Sequence, residues 1–300
     1  MKLTTLLTLT LLSSVAMAEL TEDQKKIPLE VAPTDPKLAK IVLLAGSPSG
    51  KPGDHEYFAG SVLLRDWLLQ SPGTAPVLVA NGWPKDETIL DGTKAIVVYA
   101  DCGVKLPYLE TARFEKMRSL IGKGTGFVML HQAGDVPITK ADETKQWLGA
   151  VWQADIGCRG HWDMTFSEFP KHAITQGMTA FTAPFDGWLY NYHFAEGVVP
   201  LLTGMVPDKF RTTADAKTHN GRAETIAWAY ERPTGGRSFG FSGAHLHKNW
   251  TLESQRKLVI NGILWTAKLP VPATGAPVDL KAEDLTKNLD AKPPGGVKNP

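Results

Sequence analysis

Cysteine is scarce in this sequence, neither charge is in surplus, and no nucleotide-binding glycine fingerprint occurs. Only Cys102 and Cys158 stand among 300 residues, so neither a zinc-finger spacing nor a CxxC redox pair can be built. The 32 Lys and Arg nearly cancel the 31 Asp and Glu, and without a basic excess a nucleic-acid partner is excluded. No Walker loop, GxGxxG turn or internal repeat is present. No run reads as a membrane span, since the most apolar stretch, near the start, is too short and is broken by Thr and Ser. Rings, by contrast, are plentiful: nine Trp, six Tyr and eight His suit a pocket for a planar or sugar-like ligand. At 43% hydrophobic and 21% charged, the chain can bury a sizeable core.

Residues 1–18 read as a secretory signal peptide: Lys2, a Leu-rich stretch, then Ala16-Met17-Ala18 before Glu19. The expected mature chain is therefore exported, to the periplasm or beyond. In an oxidising compartment two readings of the cysteines stay open, a Cys102–Cys158 disulfide or two separate buried thiols.

Residues 19–39, with Pro28, Pro33 and Pro36, read as an irregular lead-in, and a single domain is expected over 40–270. Apolar runs at 41–45, 76–80, 95–100 and 125–130 alternate with helical patterns at 58–69 and 109–121. Uninterrupted apolar strands separated by helices predict a mainly parallel, doubly wound sheet covered on both faces. Further strands are expected at 162–166, 188–194, 199–203, 225–231 and 237–241, extending or flanking that sheet, with a final helix at 252–267. Residues 271–300 contain no aromatic residue and repeated prolines, and read as a mostly extended or disordered tail on which Leu280, Leu285 and Leu289 offer a short docking segment.

In a doubly wound sheet ligands collect at the carboxyl ends of the strands. His131 directly follows the run 126–130, and Asp54-His55-Glu56 lies in the loop after the first strand. In Ser242-Gly243-Ala244-His245-Leu246-His247 two histidines at i and i+2 share a side if the strand persists, a pattern that makes His245, His247 and His55 candidate metal ligands, with zinc the natural ion. His161 and His193 add candidates from the less regular half. A lone histidine is first a hydrogen-bonded structural residue, and this reading applies to His161, His172, His193 and His219. Trp188 and Tyr190 fit either a sugar-stacking surface or a sheet face packed on the core.

These residues resemble the ThuA-like (trehalose-utilisation) family of the class I glutamine amidotransferase-like, flavodoxin-type fold. The resemblance runs through Lys40–Gly46, Pro52–Glu56, Gly126–His131, His172–Gly177, Ala227–Arg232 and Gly240–His245. It implies one α/β domain and a link to glycoside, disaccharide or 3-keto sugar metabolism. It also implies that glutamine hydrolysis is absent, because His131 stands where the amidotransferases carry their cysteine. The expected crevice thus has His131, His245 and Asp186 as catalytic groups exchanging protons with a sugar. His55, His161, Trp188, Tyr190 and His193 are the expected substrate contacts, and a divalent metal such as zinc is a possible cofactor. A carbohydrate-binding module without chemistry, or a partner-binding remnant of the fold, is the alternative.

Overall fold

The computed structural model describes residues 19–103 and 106–297; the leader assigned to residues 1–18 lies outside them. The chain forms β1 (Ala39–Ala45), α1 (Tyr57–Leu69), β2 (Thr74–Val79), β3 (Ala95–Ala100), α2 (Thr111–Gly122), β4 (Gly126–His131) and α3 (Ile138–Leu148). There follow β5 (Ala150–Val151), β6 (Cys158–Phe166), β7 (Phe181–Tyr190), β8 (His193–Phe194), β9 (Val199–Met205), α4 (Ala214–Lys217), β10 (Ala223–Glu231), β11 (Arg237–Phe241) and α5 (Glu253–Thr266). The main sheet runs β2-β1-β3-β4-β11-β10-β9. Its first five strands are parallel, and β10 and β9 add antiparallel pairings. The parallel part has the flavodoxin-like 2-1-3-4-5 order, as expected from the alternating apolar runs.

Side chains alternate across the sheet. Ile41, Leu43, Val97, Tyr99, Val128, Leu130 and Phe239 face α1 and α5, whereas Val42, Leu44, Ile96, Val98, Phe127 and Met129 face α2 and α3. Each strand is buried on both sides, which explains its uninterrupted apolar sequence. Helix α2 begins where the Glu110 carboxylate accepts from the N–H groups of Ala112 and Arg113. Helix α3 was not expected. Its buried residues are only Ala141, Thr144, Trp147 and Leu148, too few to print a helical stripe on a polar sequence.

Of the strands expected to extend or flank the sheet, β6 and β7 flank it: they pair with each other as a separate antiparallel hairpin. The second half departs from expectation elsewhere. The expected strand over 188–194 is divided, because Asn191 takes a left-handed φ of 60° and redirects the chain from β7 into β8.

The tail is extended, but it is packed rather than loose. Ala276 and Val278 are buried, and Leu280 and Leu285 lie against the core formed by α1 and α5. Asn261 of α5 anchors it: its Nδ2 donates to the carbonyls of Ile174 and Gln176, both at 2.9 Å, and its Oδ1 accepts from Ala276 N at 2.8 Å. Cys102 and Cys158 are free thiols. Cys158 Sγ lies 3.5 Å from the hydroxyls of Thr212 and Thr213, and Cys102 Sγ lies 3.8 Å from an Arg159 nitrogen. No helix among the described residues is long and apolar enough to cross a membrane.

Replacing Asn261 by Leu removes three buried hydrogen bonds while roughly keeping volume. It should lower unfolding free energy by about 2–4 kcal/mol, measured by urea denaturation; an unchanged midpoint would show that the tail is not anchored there.

Candidate metal and ligand site

The carboxyl ends of β1, β3, β4 and β11 open on one side of the sheet, and the chain bends sharply after each. His131 ends β4 with φ 59°, His55 precedes α1 with φ 51°, and Ala244 follows β11 with φ 67°. Left-handed backbone at non-glycine residues costs about 1–3 kcal/mol apiece and clusters at functional sites. A short antiparallel bridge between Asp54 and Leu246, together with the bond from His55 N to His245 O at 3.0 Å, ties two of these loops together.

The result is a buried centre of His55, His131 and His245, with 7%, 2% and 8% exposure. His131 Nε2 lies 3.0 Å from His55 Nε2 and 3.3 Å from His245 Nδ1. Nitrogens from all three rings fall within 4.8 Å of one another, a grouping able to hold a metal ion. Two of the rings have a hydrogen-bond partner at their other nitrogen, and the third faces a carboxylate. His131 Nδ1 donates to the Ser242 carbonyl at 3.2 Å, His55 Nδ1 meets the Ser49 hydroxyl at 2.8 Å, and His245 Nε2 faces Asp54 Oδ2 at 3.8 Å.

Burial, reinforced by His55 and His245, holds the His131 pKa well below that of a free imidazole. Burial, followed by His161 and Lys292, pushes His245 down to about 3. Both rings are therefore neutral at neutral pH, the form that ligates metals and a poor source of protons.

Gln132, next in the chain to His131, completes the inner wall. Its Oε1 accepts from Arg159 Nη1 at 2.9 Å, which turns its Nε2 towards His55 Nε2 at 3.2 Å and His131 Nε2 at 3.3 Å. Arg159 is itself held by Asp135 at 2.8 Å and by the Trp152 ring. Asp101, the residue after β3, is 2% exposed and its Oδ2 has no hydrogen-bond partner among the described residues. The strand-end rule that picked out His131 would have found Asp101 had it been applied to the neighbouring strand, since Ala100 pairs with His131 in the sheet.

Several expected site residues serve other purposes. Asp186 is fully buried; its Oδ1 accepts from the N–H groups of Gly187, His245 and Leu246 at 2.9–3.0 Å and its Oδ2 from Ala244 at 3.1 Å. With both oxygens so occupied, it shapes the loop carrying His245. Trp188 and Tyr190 are core residues: the indole donates to the Trp162 carbonyl at 3.0 Å and the phenol to the Phe210 carbonyl. His193 is exposed on β8 opposite Val151.

His247 does not share a side with His245, because β11 has already ended and His247 opens a 3-10 turn. Burial depresses its pKa to about 4, and its electrostatic neighbours are Glu56 and Lys292. His131 takes the place in the trio that had been given to His247. His161 is exposed at the rim, with its ring 4.6 Å from that of His245. Gly187 permits this approach, since a Cβ there would stand 2.6 Å from His245 Cγ and 2.9 Å from His161 Cε1. Beside His161 lies Phe185, 59% exposed, with a left-handed φ of 48° and a ring stacked at 5.7 Å.

Comparison with known proteins agrees with this architecture. The family model described as ThuA, trehalose utilisation, matches residues 75–266. A ThuA-like protein from Bacteroides uniformis superposes with a TM-score of 0.56 at 14% identity, covering 79% of this chain and 94% of its own. Another from Parabacteroides merdae gives 0.56 at 14% identity, covering 83% and 99%. No curated protein matches the sequence.

The neutral histidines carry a pH signature. The unfolded chain binds protons at His245 near pH 6.5, the folded chain only near 3, so stability falls as pH drops through that window. In chelator-treated protein, the stability advantage of wild type over His245→Asn should shrink steadily from pH 6.5 towards 4. A pH-independent difference in thermal melting would show that burial does not hold this ring neutral.

Proposed function

Starting from the fact that the chain belongs to the ThuA, trehalose-utilisation, family, we propose that it is an exported sugar-processing enzyme whose three histidines hold a divalent metal such as zinc against a glycoside or 3-keto sugar. The observation that carries the metal is the division of each imidazole into an inner and an outer nitrogen. The inner nitrogens converge at 3.0 and 3.3 Å, where tetrahedral zinc bonds of about 2.0–2.1 Å require neighbours about 3.3 Å apart. The outer nitrogens of His131 and His55 meet a carbonyl and a hydroxyl, partners of the kind that orient metal-ligating histidines, and that of His245 faces the Asp54 carboxylate at 3.8 Å. The neutral rings of His131 and His245 fit the same role.

A bound ion supplies a Lewis acid for a keto or hydroxyl oxygen of the sugar. The surrounding residues do the rest. Gln132, its amide turned by Arg159, donates an N–H to an oxygen placed before the histidines. The Asp54 carboxylate faces the His245 ring. His161 is the exposed imidazole able to pass a proton between ligand and water. Phe185 offers an apolar ring face at the entrance, the stacking role first sought in Trp188 and Tyr190. The leader read at residues 1–18 supports export.

Elemental analysis of protein purified without chelator should find about one equivalent of a divalent transition metal, lost in His131→Ala, whose near-ultraviolet circular dichroism should stay close to wild type. A wild-type protein that takes up no metal after incubation with zinc would reject the metal centre.

Phe185 predicts a separate effect. Once a screen of glycosides and their 3-keto forms has identified a turned-over sugar, Phe185→Ala should raise KM about tenfold and leave kcat nearly unchanged, the pattern of lost uniform binding. An unaltered KM would remove Phe185 from the ligand surface.

A further inference from the structure

The tail reaches the histidine centre from behind. The side chain of Lys292 is 0% exposed, and its ammonium meets Glu56 Oε1 at 3.1 Å and Asp290 Oδ2 at 3.7 Å, on carboxylate side chains only 1% and 3% exposed. It also donates to the backbone carbonyl of Asp54 and, at 3.1 Å, to that of His55. An ammonium has three N–H donors, and Glu56, Asp54 and His55 supply three acceptors in one short segment.

The grip is reinforced from both sides. Glu56 accepts from Gly53 N at 2.9 Å and from Asp290 N at 2.8 Å. Gln24, from the lead-in, is 2% exposed and donates to the Asn288 carbonyl at 3.0 Å and to Asp290 Oδ1 at 2.9 Å. Thus two segments at opposite ends of the described chain close on the loop that carries His55.

Buried ion pairs are weak devices for stability and are better attested as devices for fixing one arrangement. Here the arrangement needs fixing, because His55 has a left-handed backbone with φ 51° and must present its Nε2 3.0 Å from that of His131. A lysine bound to the carbonyls on either side of the His55 Cα sets the direction of that backbone and, through it, of the ring.

We propose that Lys292 is a positioning residue of the histidine centre: the tail strap, locked by Gln24, Glu56 and Asp290, holds His55 in its ligating pose. The consequence for metal affinity rests on the metal reading given above; the consequence for His55 geometry does not.

Two measurements on the full chain test it. Lys292→Met removes charge and donors, and Lys292→Gln restores an N–H donor without charge. Cobalt(II) titration followed by visible absorption should show an affinity about 10–100-fold weaker in Lys292→Met, the usual loss when an outer partner of a metal ligand is removed, with partial recovery in Lys292→Gln. Crystal structures of the metal-free proteins should show the His55 ring displaced from His131 in Lys292→Met. If the unpaired Glu56 prevents that variant from folding, Lys292→Met combined with Glu56→Gln removes the buried charge and is read in the same two ways.

A folded variant with wild-type cobalt affinity and an unmoved His55 overturns the proposal. Wild-type protein that binds no cobalt removes the metal reading alone, and the His55 position in the crystals then decides the strap by itself.

Discussion

Imidazole nitrogens that turn lone pairs towards one another repel, and the inner nitrogens of His55, His131 and His245 stand only 3.0 and 3.3 Å apart. The Gln132 amide, with its Nε2 3.2 and 3.3 Å from His55 Nε2 and His131 Nε2, and an N–H shared between rings offset part of this repulsion, but only while each ring keeps its orientation. Such a cluster persists only if the surrounding structure over-determines each ring. The sheet does so by ending parallel strands side by side, the left-handed residues by turning the chain within one residue, and Asp186 by collecting four backbone N–H groups under the loop of His245.

Convergence of histidines in a crevice first suggests proton transfer, since a free imidazole titrates near 6.5. Burial reverses that inference for His131 and His245. A group held at about 3, as His245 is, has no proton to give at neutral pH, yet its lone pair is fully available. The exposed ring of His161, at the rim against His245, is the one in contact with water. The histidines that the sequence places in one crevice thus occupy two environments, a buried interior and a solvent-exposed rim.

The parallel half of the fold was legible because strands buried on both faces announce themselves as apolar runs, and the strand-end rule then located His131 and the His55 loop without knowledge of their contacts. What stayed hidden depended on contacts distant in sequence. Trp188 and Tyr190 alternate as ligand-facing or core-facing residues would, and only the hairpin of β6 and β7 decides for the core. The pairing of His245 with His247 failed because period-two reasoning needs a strand that continues, and β11 stops at Phe241. Lys292 was invisible for a related reason: in a stretch rich in proline and lysine nothing local distinguishes a buried ammonium from a solvated one.

The family match spans 75–266, and within it lie His131, Gln132, Arg159, His161, Asp186 and His245. His55, its Ser49 partner, and the Glu56, Lys292 and Gln24 that fix its loop all lie outside. The centre is therefore assembled from a family segment that contributes two inner histidines and from flanking segments that contribute the third and its support. Two imidazoles leave the remaining positions of a metal to water or substrate, whereas a third makes a facial set that binds far more firmly and still keeps a position open. If this chain holds a metal as proposed, the site therefore rests as much on the loop after the first strand, which carries the third histidine, and on the residues that fix that loop, as on the matched segment.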